Sequence, residues 1–166
     1  ETIKRFSEVL GSTQAWPYVS SVLLAVSNSN ALMNCTPQSI LTSAMRAATL
    51  RLSCDSSTGH AYLIPFRDIC TLVIGYKGLH HMAVRTGKYR YINVAPVYDG
   101  ETITEDRITG FCKIDGHKTS EKIIGYIGAF ELYTGYGKTI YMTIEELDAH
   151  GKKYSKSFDD PKGLWI

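Results

Sequence analysis

Residues 59–87 read GHAYLIPFRDICTLVIGYKGLHHMAVRTG, and the fold class turns on this stretch. His60, Tyr62, Ile64 and Phe66 alternate with Ala61, Leu63 and Pro65, the period-two pattern of a strand with one proline that an edge strand tolerates. Arg67-Asp68 forms a tight connection into Ile69–Ile74, a short apolar run that reads as a buried strand. From Tyr76 to Thr86 the period lengthens to that of a helix, and Gly87 supplies the stop. A hairpin that feeds directly into a helix is the seed of a mixed fold.

The flanks extend that pattern. Upstream, one helix is expected to start near Pro17, with Val19, Val22, Leu23 and Val26 at helical spacing. A second is marked by Thr36 as N-cap and Pro37 at the first helical position, with Leu41, Ala44, Met45, Ala48 and Leu52 as one apolar stripe and Arg46 off it. Downstream, Tyr89–Tyr98 alternates as a strand, and residues Arg107–Ile114, Lys122–Leu132 and Lys138–Met142 read as further strands. Asp115-Gly116 and Gly135–Gly137 are the expected turns, and Thr143 with Glu146 three residues on forms a capping box that opens a last helix. The predicted class is α+β, a largely antiparallel sheet with flanking helices, in one domain spanning residues 1–166. A chain that opens on Glu1 rather than methionine reads as a trimmed or internal fragment.

Composition narrows the function. Hydrophobic residues make up 44% of the chain and charged ones 20%, values of an ordinary globular protein, and no apolar run is long enough to span a membrane. Cys35, Cys54, Cys70 and Cys112 lie in or beside apolar runs without C-x-x-C pairing, so they read as buried free thiols of a cytoplasmic protein. The net charge of +2 is unevenly spread. Residues 9–98 hold seven bases against two acids, a net of +5, whereas residues 99–166 net −3. The basic half is the one suited to a polyanion.

Catalytic motifs fail on inspection. Gly137-Lys138-Thr139 imitates the end of a phosphate-binding loop, but the glycine required five positions earlier is Leu132 and a strand follows where a helix is needed. His60, His80, His81, His117 and His150 lack zinc spacing, and no G-x-S-x-G element or cysteine-nucleophile signature is present. Glu145-Glu146 sit in the first turn of a capped helix, where the helix dipole accounts for them. Neither a cofactor nor a metal site is predicted.

What remains is a basic row. Lys77, His81 and Arg85 recur every four residues on one helix face, with Leu79, Met82, Ala83 and Thr86 assigned to the other, and Lys88 and Arg90 extend the row beyond Gly87. No acid lies between residues 69 and 98, and Tyr62, Tyr76, Tyr89, Tyr91 and Tyr98 interleave with the cations. Cations in line track a phosphate backbone, and exposed rings beside them stack unpaired bases. Lys77, Arg85, Lys88 and Arg90 are the expected backbone contacts, joined by Arg46, Arg51 and Arg67, with Tyr76 and Tyr91 as base platforms. An amphipathic helix with a solvated face and core tyrosines would carry the same residues.

The blocks Gly59-His60-Ala61-Tyr62-Leu63-Ile64-Pro65-Phe66, Leu72-Val73-Ile74-Gly75-Tyr76-Lys77-Gly78-Leu79 and Arg85-Thr86-Gly87 resemble the central signature of the RecT family, the phage and prophage single-strand annealing proteins. The likeness extends upstream through Thr36–Ile40 and Ala47–Leu52 and downstream through Val94–Glu101, and the tail Lys162-Gly163-Leu164-Trp165 is similar to the family's tryptophan-containing segment. The resemblance implies a non-catalytic protein that binds single-stranded DNA and anneals it to its complement in homologous recombination without ATP. It also implies assembly into rings or helical filaments, a partner exonuclease, and a setting in the cytoplasm of the bacterial host. Family members usually continue past this tryptophan, and this chain stops at Ile166. Two other readings stay open from the residues alone: an RNA-binding module using the same surface, and a small-molecule enzyme of α+β fold. Residues 9–45 carry no charged side chain, which suits a packed contact between copies of the chain.

Overall fold

The computed structural model describes residues 1–155 and 158–159; the expected tryptophan-containing tail falls outside the described residues. The chain forms two compact units, Glu1–Gly87 and Lys88–Ile166. Helices and antiparallel strands follow one another in separate runs, the strands in open sheets, so the fold is α+β.

The first unit is built from α1 (Thr2–Leu10), α2 (Ser12–Ser27), a single-turn α3 (Asn30–Met33), α4 (Pro37–Thr49), the hairpin β1 (Ala61–Phe66) and β2 (Ile69–Ile74), and α5 (Tyr76–Arg85). Its core joins Phe6, Ala15, Val22, Leu32, Ala44, Ala47, Ala48, Leu52, Ala61, Leu63 and three buried cysteines. The alanines of α4 let the hairpin and α1 come close, and the expected stripe is buried at Ala44, Ala48 and Leu52 and exposed only at Leu41. Thr36 and Pro37 mark the start of α4 as expected, although the Thr36 side chain makes no capping bond. Arg46 is exposed, off the buried stripe.

Two expectations here are corrected. The first helix does not begin near Pro17: α2 starts at Ser12 and carries the proline in its interior, while α1 precedes it. Proline removes one backbone donor and costs an isolated helix about 3 kcal/mol, but complete burial of Phe6 and Ala15 anchors both helices to the core. Phe6 lies with its ring centroid 5.7 Å from that of Tyr18, locking α1 to α2. The run Ile69–Ile74 is a strand but not a buried one. Among the described residues it pairs only with β1, so one face packs Cys70, Leu72 and Ile74 inward while Ile69 and Val73 stand 54% and 41% exposed. A two-stranded ribbon has a single covered face.

The second unit holds β3 (Tyr89–Tyr98), β4 (Glu101–Asp106), β5 (Phe111–Gly116), β6 (Ile123–Leu132), β7 (Gly137–Thr143) and α6 (Ile144–Tyr154). Strands β3, β6 and β7 form one antiparallel sheet in that order, and β4 with β5 makes a separate hairpin. The expected strand over Arg107–Ile114 is displaced. Residues 107–110 are the turn, Glu101–Asp106 is the strand before it, and Asp115-Gly116 pair with Thr102 and Glu101 instead of turning. Asp106 decides this, because its carboxylate accepts from the Ile108 and Thr109 amides and folds the chain back there. The capping box of α6 is present in full: Thr143 Oγ accepts from the Glu146 amide at 3.1 Å, and Glu146 accepts from the Thr143 amide at 2.9 Å. Gly137-Lys138-Thr139 opens β7 after the Gly135 turn, as a hairpin element.

Candidate nucleic-acid interface

The basic helix α5 is seated by its glycines. A β-carbon on Gly78 would stand 2.1 Å from the His60 carbonyl oxygen, and one on Gly75 would stand 2.3 Å from that of Gly59. Backbone therefore packs on backbone, and the Gly75 amide donates to the His60 carbonyl at 2.9 Å. The helix rests on its Gly78–Met82 seam, which moves the apolar face from its expected position: Met82 packs on the core, whereas Leu79 is 56% exposed. The family-like block Gly75-Tyr76-Lys77-Gly78 thus owes its two glycines to this close approach.

Lys77 and His81 border the seam. The Lys77 stem crosses Gly59, its Cδ lying 3.0 Å from where a β-carbon would be, and leaves the ammonium in solvent. His81 stacks on His60 with ring centroids 4.8 Å apart, so one member of the row is engaged with the strand segment beneath it. Arg85 is exposed yet tethered, its guanidinium donating to the Leu50 carbonyl at 3.0 Å. Leu50 is the C-cap of α4, where unsatisfied carbonyls and the negative end of the helix dipole attract a cation. Nothing in local sequence announces this tie, because its partner is 35 residues away.

Arg51 follows Leu50 directly, in a left-handed conformation at φ 52°, so its backbone adjoins the carbonyl that holds Arg85, at the C-terminal end of α4. Arg67 does not join them. It occupies the β1–β2 turn at φ 58°, and the adjacent Asp68 carbonyl accepts from the Thr36 amide at 2.8 Å, at the opposite end of the 13-residue α4. That separates Arg67 from the Arg51–Arg85 pair by about 20 Å. Arg46 lies in the last turn of α4.

Lys88 and Arg90 open the second unit. Arg90 sits at an irregularity in the β3–β6 register and pairs with Glu131 at 2.9 Å. An acid distant in sequence therefore meets a row that is acid-free along the chain. The tyrosines divide by environment. Tyr76, the first residue of α5, is 75% exposed and Tyr91 is 43% exposed, as a base platform requires. Tyr62 lies against Gly59 and Gly75, Tyr89 meets the Phe130 ring edge-on, and Tyr98 has the Lys118 ammonium over its ring. Each of these three is engaged by a neighbour within the protein.

The carboxyls with displaced acidity do not build a reaction centre. Asp55, Asp106 and Asp115 are all held below the usual carboxylate range by hydrogen bonds, chiefly from Ser57, Ile108 and Lys113 respectively, in exposed turns and at a strand end. The apolar groove between α2 and α4, lined by Val19, Val22, Leu23, Val26, Ile40 and Leu41, holds no carboxylate among the described residues.

The model of the RecT family matches residues 18–166. The chain is 39% identical over 164 residues to a Bacillus subtilis (strain 168) protein named "Uncharacterized protein YqaK", an alignment covering 98% of this chain and 57% of that protein. It is 32% identical over 79 residues to "Protein RecT" of Escherichia coli (strain K12), covering 43% of this chain and 29% of that protein. The chain thus spans little more than half of the first relative and under a third of the second.

Proposed function

The chain belongs to the RecT family, and from that premise we propose that it binds single-stranded DNA and promotes annealing of complementary strands in homologous recombination without ATP. The family match over residues 18–166 carries this reading. The exposed cations of α5 and the pair at the C-terminal end of α4 support it as phosphate contacts: Lys77, Arg85 and Arg51, with Lys88, Arg90, Arg46 and Arg67 as further contacts. Tyr76 and Tyr91 have the exposure a base platform needs. Annealing breaks no covalent bond. Cations offset the repulsion between two polyanions, and each base step formed contributes roughly 1.4 kcal/mol of stacking, so pairing itself drives the process.

In this reading both units serve one DNA-binding and oligomerising role, and the chain assembles head to tail into a ring or filament, because one unit this small covers about 4–16 nucleotides. The uncharged helix α2 and the uncharged first turns of α4, residues 37–45, supply a surface for it: Leu23 and Leu24 are 63% and 62% exposed beside the apolar groove. An exonuclease that produces the single strands is the expected partner. The test is a fluorescence-quenching annealing assay on complementary oligonucleotides, with ATP omitted and chelator present. Pairing well above the spontaneous rate is expected, and a strict ATP requirement would overturn the mechanism. Competition between matched DNA and RNA oligomers separates this function from that of an RNA-binding module.

A further inference from the structure

Among the described residues, one face of the β3–β6–β7 sheet is uncovered. Side chains alternate across a sheet, and the register puts Ile92, Phe130 and Lys138 in one row and Val94, Gly128 and Ile140 in the next, all on the same face. Val94 and Ile140 are 66% and 57% exposed, whereas Val97 on the opposite face is fully buried. The Tyr136 carbonyl accepts from the Leu132 amide at 2.7 Å, which sets Tyr136 at the head of the open face, 62% exposed. Three rings join across the strands there: Tyr89 and Phe130 with centroids 5.8 Å apart, Phe130 and Tyr136 at 6.1 Å.

Two features select the occupant. Space is open above Gly128: a β-carbon there would touch only Ile140, at 3.4 Å, and Val94, at 4.0 Å. Phe130 and Tyr126 stand two residues away on either side of it along the central strand, so the bare backbone forms a shallow trough between two rings. The charge is one-sided as well. Lys138 is the charged residue in these rows, and Glu131, next to Phe130 on the central strand, alternates to the other face and is paired with Arg90. Flat apolar rings beside a cation suit nucleobases attached to a phosphate chain.

We propose that this open sheet face is a base-stacking platform for the single strand, with Tyr136 and Phe130 as stacking rings, the Gly128 trough as a base slot and Lys138 on the adjoining phosphate. The proposal rests on the reading of the chain as a single-strand binder and adds a second contact surface to it, distinct from α5. Such a platform reads no sequence, because every base has a π-face.

The test compares affinity for oligo-dT with affinity for an abasic deoxyribose-phosphate oligomer of equal length, in the wild-type chain, Tyr136→Ala and Gly128→Val. Tyr136 is exposed and Gly128 lies in a strand that accepts a β-branched residue, so both variants are expected to fold, checked by circular dichroism and melting. The wild type should prefer dT by about five-fold to a hundred-fold. Both variants should move that ratio toward one, Tyr136→Ala by losing a ring and Gly128→Val by filling the slot, with abasic binding unchanged. Lys138→Ala should weaken both ligands equally. A wild type that binds dT without preference, or variants that retain the preference, would overturn the platform and leave the single-strand function standing. A wild type that binds neither oligomer removes both. Variants that change the mass in light scattering while keeping the preference would also overturn the platform and assign the face to a contact between copies.

Discussion

The Arg85 guanidinium donates to the Leu50 carbonyl at 3.0 Å, closing the C-terminal end of α4 with a cation from α5. One residue thereby holds two helices together and presents positive charge where the row was expected to bind phosphate. Arg85→Ala should cost about 0.5–1.5 kcal/mol of stability in urea unfolding. Lys77→Ala, whose ammonium is in solvent, should cost under about 0.5 kcal/mol. Equal losses for the two variants would contradict this division of labour.

Lys77 is therefore the cleaner probe of the interface. Lys77→Ala should weaken binding to oligo-dT and lower the slope of log affinity against log salt by about 0.7, the share of one single-strand phosphate contact. Titrations at four or more salt concentrations measure it, and a slope equal to that of the wild type would remove Lys77 from the interface.

Gly78→Ala adds a methyl group where the His60 carbonyl oxygen is 2.1 Å away, so α5 must lift from the hairpin. Overpacking of this kind costs about 1–3 kcal/mol. DNA binding should fall with it, since Lys77 and Arg85 move with the helix. Thermal melting beside oligo-dT titration reads both effects, and an unperturbed melt would mean that the helix is less tightly seated than its geometry implies.

Burial pushes the Cys54 and Cys70 thiols up from the ordinary value of 9.0, and it raises the Tyr18 phenol well above its usual range, with the Cys54 contact at 3.3 Å adding to the effect. The Tyr18 hydroxyl donates to the Ala44 carbonyl at 3.1 Å, which leaves its oxygen to accept from the Cys54 thiol. For groups held neutral by the fold, the stabilisation is complete below the unfolded-state value and lost as pH rises through the folded one. Stability should therefore be level through neutrality and decline from about pH 9 upward. Iodoacetamide at pH 8 should label the partly exposed Cys112 first and reach Cys35, Cys54 and Cys70 only on unfolding, which peptide mapping reads directly.

Leu23→Glu places a charge on the exposed rim of the α2–α4 groove without touching the core. If this surface joins copies of the chain, the variant should keep its melting temperature within a few degrees and lose the large assemblies that form on long single strands. Multi-angle light scattering decides it; a wild-type mass distribution in the variant would place the contact elsewhere.

Much of the molecule was readable along the chain because its causes are local. Alternation over residues 61–66 and 89–98, the Thr36-Pro37 start, the Gly87 stop and the Thr143–Glu146 capping box each depend on neighbours within a few residues. The α+β class and the exposed cations of α5 follow from them. The misreadings have tertiary causes: Pro17 is carried inside a helix because Phe6 and Ala15 are buried, and Ile69–Ile74 stays half exposed because it has one partner strand. Only the folded chain separates the row into parts. Lys77 reaches solvent, Arg85 closes a helix 35 residues away, Arg90 pairs with Glu131, and Arg67 stands at the far end of α4. Likewise Phe130, Tyr136 and Lys138 share an open face through the β3–β6–β7 register, a pairing between strands that no local spacing encodes. Periodicity tells a chain which side of each element is apolar, but which charges remain for a ligand is decided by the partners that long-range packing brings to them.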